Sequence, residues 1–191
     1  MKLLFLIILV IFFSGTFCKK VSPLGNCPLY KQCDPKWGSH NMNGSTICRE
    51  GCAMSSVSMA LNCFGIKIPT SSGMLTDSNP DTLNTWLQEH QGYVCLGGDC
   101  NNLVLNAPDR IPTPPHVVKY AEPYKLISKE EMRQHIDRKG IVIAHVRNSG
   151  HFVLLTGYET ESDIFYCNDP FFSVTYYTYQ EMSSQLLYYM A

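Results

Sequence analysis

The chain has 191 residues and a formal charge of −1, and only 16% of its residues are charged. The charge is close to neutral and the basic residues are scattered along the chain. The sequence therefore gives no sign of the positively charged surface that nucleic-acid binding requires. Hydrophobic residues make up 45% of the chain, which is enough for one domain to bury a core of its own.

Residues 1–18 have the pattern of a secretory signal peptide. One early lysine precedes an apolar run over residues 3–13, which is short for a bilayer span, and small residues follow. Cleavage is expected after Cys18 or after Thr16, and an uncleaved anchor is the alternative. We therefore predict a signal peptide followed by a single domain at 19–191. The mature protein should have no stable membrane insertion and should be extracellular or in the lumen of the secretory-endolysosomal pathway.

Eight cysteines remain once the signal peptide is removed: Cys27, Cys33, Cys48, Cys52, Cys63, Cys95, Cys100 and Cys167. A secreted protein is expected to pair most of them, although connectivity cannot be read from sequence. If all eight pair, no thiol is left for catalysis; if Cys52 stays free, three disulfides and a second unpaired cysteine result. Cys95 and Cys100 are separated by a short loop and form a candidate local pair. A zinc site is a weak alternative, because no CxxC pair or matched histidine cluster accompanies these cysteines. No metal or cofactor is therefore predicted.

Residues 26–50 are rich in Gly, Pro, Asn and Ser and predict a long irregular segment. This segment contains Asn43-Gly44-Ser45, the only N-x-S/T acceptor of the chain. We therefore expect an exposed loop there, with Asn43 as a candidate N-glycosylation site.

The next predicted element is a helix over residues 53–64, where the spacing of apolar residues indicates one buried face and Gly65 ends the run. Cys52 then falls at or just before the helix N-terminus, where unpaired amide hydrogens and the helix dipole stabilise a thiolate. The preceding Gly51 should let the backbone turn sharply and let a substrate approach. The alternative is that Cys52 is half of a disulfide, which is common in secreted domains.

Two further helices have clear start signals. Asn79 caps a helix with Pro80 at its first position, and Ser128 forms a capping box with Glu131 at the start of a helix that Gly140 closes.

Strands dominate the remainder. Residues 106–123 carry five prolines and predict an extended surface connection. Strands are then predicted at 141–146, 151–158, 163–167 and 174–177, before a short last helix at the capping box of Thr178 and Glu181. Helices come first and an antiparallel sheet second, so the predicted fold class is α+β.

His151 begins a strand directly after a turn glycine, which should hold its imidazole rigidly at the mouth of a cleft. If the hairpin turns at 159–162, His151 faces Pro170 across the two strands and Asp169 is a near neighbour. A carboxylate there can orient the imidazole and stabilise the imidazolium that forms when a cysteine ionises. The alternatives are a structural histidine and a simple turn, and Asn168 is the second choice for the orienting residue. His145 and His90 are interpreted as structural.

Four segments, in this order, resemble peptidase C39-like domains of the papain-like cysteine peptidase superfamily: Gln32–Gly38, Gly51–Leu61, Asp81–Leu87 with Gly92-Tyr93, and Gly150–Tyr158 with Asn168-Asp169-Pro170. The resemblance covers nearly all of the mature chain. It implies a papain-like fold in which N-terminal helices, with the nucleophile at a helix start, pack on an antiparallel sheet. It also implies that Cys52, His151 and Asp169 occupy the positions of a catalytic triad.

The resemblance further suggests Gln32 as an oxyanion-hole donor, acting with the backbone N–H of Cys52. About twenty residues separate Gln32 from Cys52, so the intervening loop must fold back for this role. The alternative is an ordinary exposed polar residue. A second departure is Ala-Met-Ser after the cysteine, where the family often has a Gly-Pro-Thr-like stretch.

These observations predict a secreted cysteine peptidase that hydrolyses peptide bonds in a peptide or protein substrate. The alternatives are a catalytically inactive, disulfide-rich secreted binding protein of the same fold, and a papain-fold acyltransferase or cell-wall amidase.

Overall fold

The computed structural model describes residues 18–112 and 117–190. The predicted signal peptide therefore lies outside the described residues, except for Cys18. Within the part of the chain that is described, no helix combines the length and the apolar character needed to cross a membrane.

The described residues contain four α-helices: α1 (Ile47–Glu50), α2 (Cys52–Cys63), α3 (Pro80–Glu89) and α4 (Lys129–Asp137). They also contain eleven strands: β1 (Lys20–Val21), β2 (Lys67–Pro69), β3 (Leu75–Asp77), β4 (Tyr93–Leu96), β5 (Asp99–Leu103), β6 (Val118–Lys125), β7 (Ile141–Val146), β8 (His151–Glu159), β9 (Ile164–Asn168), β10 (Tyr176–Thr178) and β11 (Met182–Met190).

Seven of these strands form one antiparallel sheet. Its order is β10-β9-β8-β7-β11-β6, and β1 pairs with part of β8. The strands β2 and β3 form a separate hairpin, as do β4 and β5. The helices and this sheet confirm the predicted α+β class, with helices packed on a large antiparallel sheet.

The central strand β7 is buried on both faces of the sheet. Ile141 and Ile143 pack in a core with α2 and α3, whereas Val142 and Ala144 pack in a second core with α4. A strand covered on both faces needs apolar residues at successive positions, which explains the apolar residues at 141–144.

The predicted helix starts are confirmed. The Asn79 side chain accepts hydrogen bonds from the backbone N–H groups of Asp81 and Thr82, and Ser128 and Glu131 form a reciprocal capping box. Each cap satisfies amide hydrogens that the first helical turn leaves unpaired.

Two sequence predictions were wrong in part. Residues 106–123 are not only an extended connection, because they include a short 3-10 turn at Ala107–Arg110 and the start of β6, which pairs with β11. The capping box of Thr178 and Glu181 exists, but it begins a single 3-10 turn rather than a helix. The nine residues of β11 follow at once, because alternate side chains of this segment fill the core.

Three disulfides join Cys27 to Cys63, Cys33 to Cys48, and Cys95 to Cys100. The first two tie the N-terminal segment to the end of α2 and to α1, and the third closes the β4–β5 hairpin, as its spacing predicted. Cys18, Cys52 and Cys167 are unpaired. Of the two alternatives read from the sequence, the structure has the second. Three disulfides form, Cys52 stays free, and Cys167 is the second unpaired cysteine.

Candidate active site

Cys52 is the first residue of α2, and its side chain is partly accessible. Gly51, between α1 and α2, has a φ of −81°, so the turn here does not use a backbone conformation reserved for glycine. The glycine is required by space instead, because a Cβ at this position would lie 2.4 Å from the carbonyl oxygen of Ile47. The close approach lets α1 end directly against the start of α2, which leaves the N-terminal amides of α2 around the thiol.

The imidazole of His151 lies beside the Cys52 side chain, close enough for the two groups to interact. Its Nε2 lies 2.8 Å from Oδ1 of Asp169, so Nδ1 is the nitrogen left to face the sulfur. Burial lowers the pKa of His151, but hydrogen bonds to Asp169 and Cys52 and the negative charges of both groups raise it to about 9. The raised pKa favours a protonated imidazole beside Cys52 at neutral pH.

Asp169 is almost fully buried, yet both carboxylate oxygens are satisfied. Besides His151, Oδ1 accepts hydrogen bonds from the backbone N–H groups of Phe171 and Phe172, each at 2.8 Å. Burial raises the pKa of Asp169, but the hydrogen bonds from His151 and from these amides outweigh it and hold the pKa below its usual value. Asp169 is thus an ionised acceptor that fixes one face of the imidazole.

The second oxygen of Asp169 has a partner that the sequence did not indicate. The buried hydroxyl of Tyr177 donates to Oδ2 at 2.9 Å and accepts from Nε of Arg147 at 3.0 Å. The Arg147 guanidinium also lies 3.7 Å from the centroid of the Phe172 ring, which meets His151 edge-on at 5.2 Å. These groups surround the His151–Asp169 hydrogen bond, and their alignment depends on the pairing of β9 with β10, which no local pattern reveals.

The turn between β7 and β8 is wound in an unusual conformation. Arg147, Asn148 and Ser149 all have positive φ, at 54°, 54° and 62°. Consecutive left-handed residues without glycine are costly and are maintained only where the surrounding structure imposes them. Here the turn brings Arg147 within hydrogen-bonding distance of the Tyr177 hydroxyl, and His151 follows as the first residue of β8.

The segment before α1 clamps the turn that carries Asp169. Nζ of Lys31 donates to the carbonyl oxygens of Asp169 and Phe172, at 2.8 and 2.6 Å, and the backbone N–H of Gln32 donates to the carbonyl oxygen of Pro170 at 2.8 Å. The N-terminal segment therefore folds back across the site, as a role for Gln32 requires.

The side chain of Gln32 is buried, with 3% exposure, so it is not an ordinary exposed polar residue. Its Nε2 donates to the carbonyl oxygen of Cys48 at 2.7 Å and makes a long 3.4 Å contact with that of Ile47. Its Oε1 has no hydrogen-bond partner among the described residues. The structure brings Gln32 to the segment just before Cys52, but it does not record a contact between the two side chains.

Asn168, the second choice for orienting the histidine, points elsewhere. Its Nδ2 donates to the carbonyl oxygens of Cys27 and Pro28, both at 3.0 Å. Adjacent residues of a strand face opposite sides, so Asn168 holds the N-terminal segment while Asp169 reaches His151.

The other histidines within the described residues lie outside this cluster. His90 stacks on Trp86, His40 pairs with Asp81 at 2.6 Å, and Nε2 of His135 lies 3.0 Å from the carbonyl oxygen of Tyr188. His145 stacks on Phe152 at 3.9 Å.

Another unpaired thiol, that of Cys167, is buried in β9. Burial raises its pKa to about 12, so it is protonated and shielded from reagents. Within residues 18–112 and 117–190, no three His, Cys, Asp or Glu side chains gather as a metal site would require.

Asn43 is exposed, as its acceptor motif predicts. Its Nδ2 donates to the carbonyl oxygen of Cys100 at 2.8 Å, and its backbone N–H donates to Oδ1 of Asn101 at 3.0 Å. The N-terminal segment is thereby tied to the β4–β5 hairpin.

Comparison with known proteins places this arrangement in a family. Residues 25–191 match the Peptidase_C39 like family, which covers most of the chain. Neither the curated proteins nor the solved structures that were searched gave a match. The chain belongs to the peptidase C39-like family.

Proposed function

We propose that this member of the peptidase C39-like family is a secreted cysteine peptidase in which Cys52 is the nucleophile, His151 the general acid and base, and Asp169 the group that orients the histidine. One observation carries the proposal: a continuous chain of contacts from the Cys52 thiol through His151 to the buried Asp169 carboxylate. A disulfide at Cys52, the main alternative read from the sequence, has no support in the cysteine pairing.

The chemistry begins with the Cys52 thiolate and the His151 imidazolium. The sulfur attacks the carbonyl carbon of the scissile amide, and the carbonyl oxygen takes up the negative charge. His151 donates its Nδ1 proton to the amide nitrogen, the C–N bond breaks, and the amine leaves a thioester on Cys52. Neutral His151 then accepts a proton from water as the water oxygen attacks the thioester, and C–S cleavage restores the thiolate.

The developing oxyanion needs hydrogen-bond donors that are already in place. The backbone N–H of Cys52 is one, because the first residue of a helix has no intrahelical acceptor. Gln32 is the proposed second donor. The N–H directed to Ile47 makes only the long 3.4 Å contact, so it is the one that a substrate oxygen can recruit.

Secretion is part of the proposal. Three disulfides are compatible with folding in an oxidising compartment, and Lys20 and Val21, just after the predicted cleavage site, already pair with β8. Expression in a secreting eukaryotic host tests this directly. The mature N-terminus should be Phe17 or Lys19 by mass spectrometry, and glycosidase treatment should shift the mass of the wild type but not of Asn43→Gln.

The decisive test is hydrolysis of a fluorogenic peptide library by the purified wild type and by Cys52→Ala. We expect turnover that Cys52→Ala abolishes while its melting temperature stays close to that of the wild type. Added hydroxylamine or amino-acid amide separates transfer from hydrolysis in the product masses. A folded wild type with no turnover, or turnover that survives in Cys52→Ala, would refute the proposal.

A further inference from the structure

A cleft of about 690 Å³ opens beside Cys52 and has no part in the proton transfers described above. Cys52 and Ala53 line one edge of it, together with Gly150, the residue before His151. A substrate whose scissile bond reaches the Cys52 sulfur can therefore place a neighbouring group in this cleft.

The outer wall of the cleft belongs to the β4–β5 hairpin. Val94 and Leu96 line it while being 41% and 61% exposed, and Leu103 lies behind them. Apolar side chains left in water are unfavourable, and their concentration at the edge of a site indicates a surface that an apolar group covers.

This wall is fixed in position before any substrate arrives. The Cys95–Cys100 disulfide closes the hairpin, and Asn43 and Ser45 both donate backbone N–H groups to Oδ1 of Asn101, at 3.0 and 3.1 Å. A preformed wall loses little conformational entropy on binding, which makes discrimination between side chains more effective.

The inner wall comes from the sheet and offers a flat aromatic surface. The rings of His145 and Phe152 stack almost parallel, 7° apart, and both line the cleft. Nδ1 of His145 meets the hydroxyl of Tyr124, and burial lowers the pKa of His145, which favours the neutral ring. The stacked pair therefore offers a planar, weakly polar surface.

Charge at the rim is acidic. Glu50 and Asp99 line the cleft, and no lysine or arginine of the described residues does. Asn101 donates two hydrogen bonds to Asp99, which lowers the pKa of that carboxyl and keeps it ionised. An acidic substrate side chain is therefore repelled at this position.

We propose that this cleft binds a bulky apolar side chain of the substrate close to the scissile bond, so that the enzyme selects Leu, Met or an aromatic residue there and rejects Gly and Asp. The inference rests on the proposed peptidase function. The cleft is too large for a glycine to fill, so peptides with small residues leave most of the apolar surface uncovered.

A positional-scanning peptide library, assayed with wild type and Leu96→Asp, tests the proposal. At one position near the scissile bond, we expect kcat/KM for apolar residues to exceed that for Gly or Asp by at least about tenfold. Leu96→Asp should remove most of that preference while leaving the rate of Cys52 alkylation by iodoacetamide unchanged. Val94→Asp should act in the same direction.

Leu75→Asp is the matched control, because Leu75 is also an exposed leucine of a short hairpin, at 64% exposure, and does not line the cleft. Its selectivity should equal that of the wild type. Hydrolysis with no preference at any position, or a preference that Leu96→Asp leaves intact, overturns the cleft assignment while the peptidase function stands.

If the wild type hydrolyses nothing, the cleft is still tested by binding. The same peptides, labelled for fluorescence anisotropy, are titrated into Cys52→Ala and into Cys52→Ala with Leu96→Asp. Tighter binding of the apolar peptides by at least about tenfold, lost in the double variant, supports the cleft. Equal binding of all peptides overturns it.

Discussion

The hydroxyl of Tyr177 donates to Oδ2 of Asp169 at 2.9 Å, on the carboxylate oxygen that His151 does not use. Arg147 donates in turn to the same hydroxyl at 3.0 Å. The Asp169 carboxylate is thus held by His151 on one oxygen and by Tyr177 on the other. The proposed orienting residue is itself oriented by a strand and a turn that carry none of the reacting atoms.

Tyr177→Phe should lower kcat by roughly tenfold to a hundredfold, because Asp169 is then free to rotate away from His151. It should also lower the free energy of unfolding by about 1–3 kcal/mol, since a buried carboxylate oxygen loses its donor. Steady-state kinetics and thermal unfolding measure the two effects.

Tyr158→Phe provides the control, because the Tyr158 hydroxyl also donates to a carboxylate, Oδ1 of Asp137 at 2.9 Å, but away from the site. It should cost stability without lowering kcat. Equal kinetic effects of the two substitutions would show that Tyr177 acts only through stability.

The pH profile should carry the signature of His151. Its pKa is raised from the ordinary 6.5 to about 9, so the imidazolium required as the acid is present up to that pH. The alkaline limb of kcat/KM should therefore fall near pH 9 in the wild type and at lower pH in Asp169→Asn. An unchanged alkaline limb in Asp169→Asn would contradict the assignment.

The same shift links stability to pH. A raised pKa in the folded state means that the stabilisation by His151 is fully present below pH 6.5 and is lost as the pH rises through about 9. The difference in melting temperature between wild type and Asp169→Asn should therefore be larger at pH 6 than at pH 10.

Asp169→Ala and Asn168→Ala should separate the orientation of His151 from the attachment of the N-terminal segment. Asp169→Ala removes the acceptor of His151, and we expect kcat to fall by at least about a hundredfold. Asn168→Ala loses only its bonds to the N-terminal segment, so it should lower the melting temperature with little change in kcat. A larger kinetic loss in Asn168→Ala would reverse the two roles.

The thiols of Cys52 and Cys167 should differ sharply in reactivity in the folded protein. Iodoacetamide should modify Cys52 under native conditions and spare Cys167, which is buried with its pKa raised to about 12. Peptide mapping by mass spectrometry reads out both sites, and unfolding in urea should expose Cys167. Finding Cys52 in a disulfide would remove the basis for the peptidase proposal.

Gln32→Ala tests the proposed oxyanion donor. Loss of one such donor should reduce kcat by about 10²–10³ with a smaller effect on KM. Because Gln32 also bonds the carbonyl of Cys48, the rate of Cys52 alkylation is measured as a check on local structure. A large loss of alkylation rate together with kcat would assign Gln32 a structural role.

Much of the site could be anticipated because its parts are local. Helical spacing of the apolar residues placed Cys52 at the start of α2, and a single hairpin brought His151 close to Asp169. The pairing estimate put Pro170 opposite His151, whereas the observed pairs, such as Leu154 with Asn168, are displaced by one residue, and a bulge lies between Leu155 and Gly157. Asp169 still reaches the imidazole, since a carboxylate beyond the end of a strand tolerates such a shift.

The parts that sequence could not supply are those that depend on distant pairing. Tyr177 reaches Asp169 only through the β9–β10 register, and the cleft walls come from Leu96 in one hairpin and Phe152 in the large sheet. The segment of β11 lacked a strict alternation of apolar and polar residues, and its capping box favoured a helix. Side chains that are far apart in the sequence but meet in the fold leave no regular spacing that would predict their contact.

The position of β11 also constrains when the protein can assemble. This strand is hydrogen-bonded to β7 on one side and β6 on the other, although it follows both in the chain. Until residues up to Met190 have been synthesised, β6 has no partner and one edge of β7 is open. Helices and the β7–β9 hairpins can form during synthesis, but closure of the sheet must wait for the last strand, so a chain stalled before Met182 would present two unpaired strand edges to chaperones or to other nascent chains.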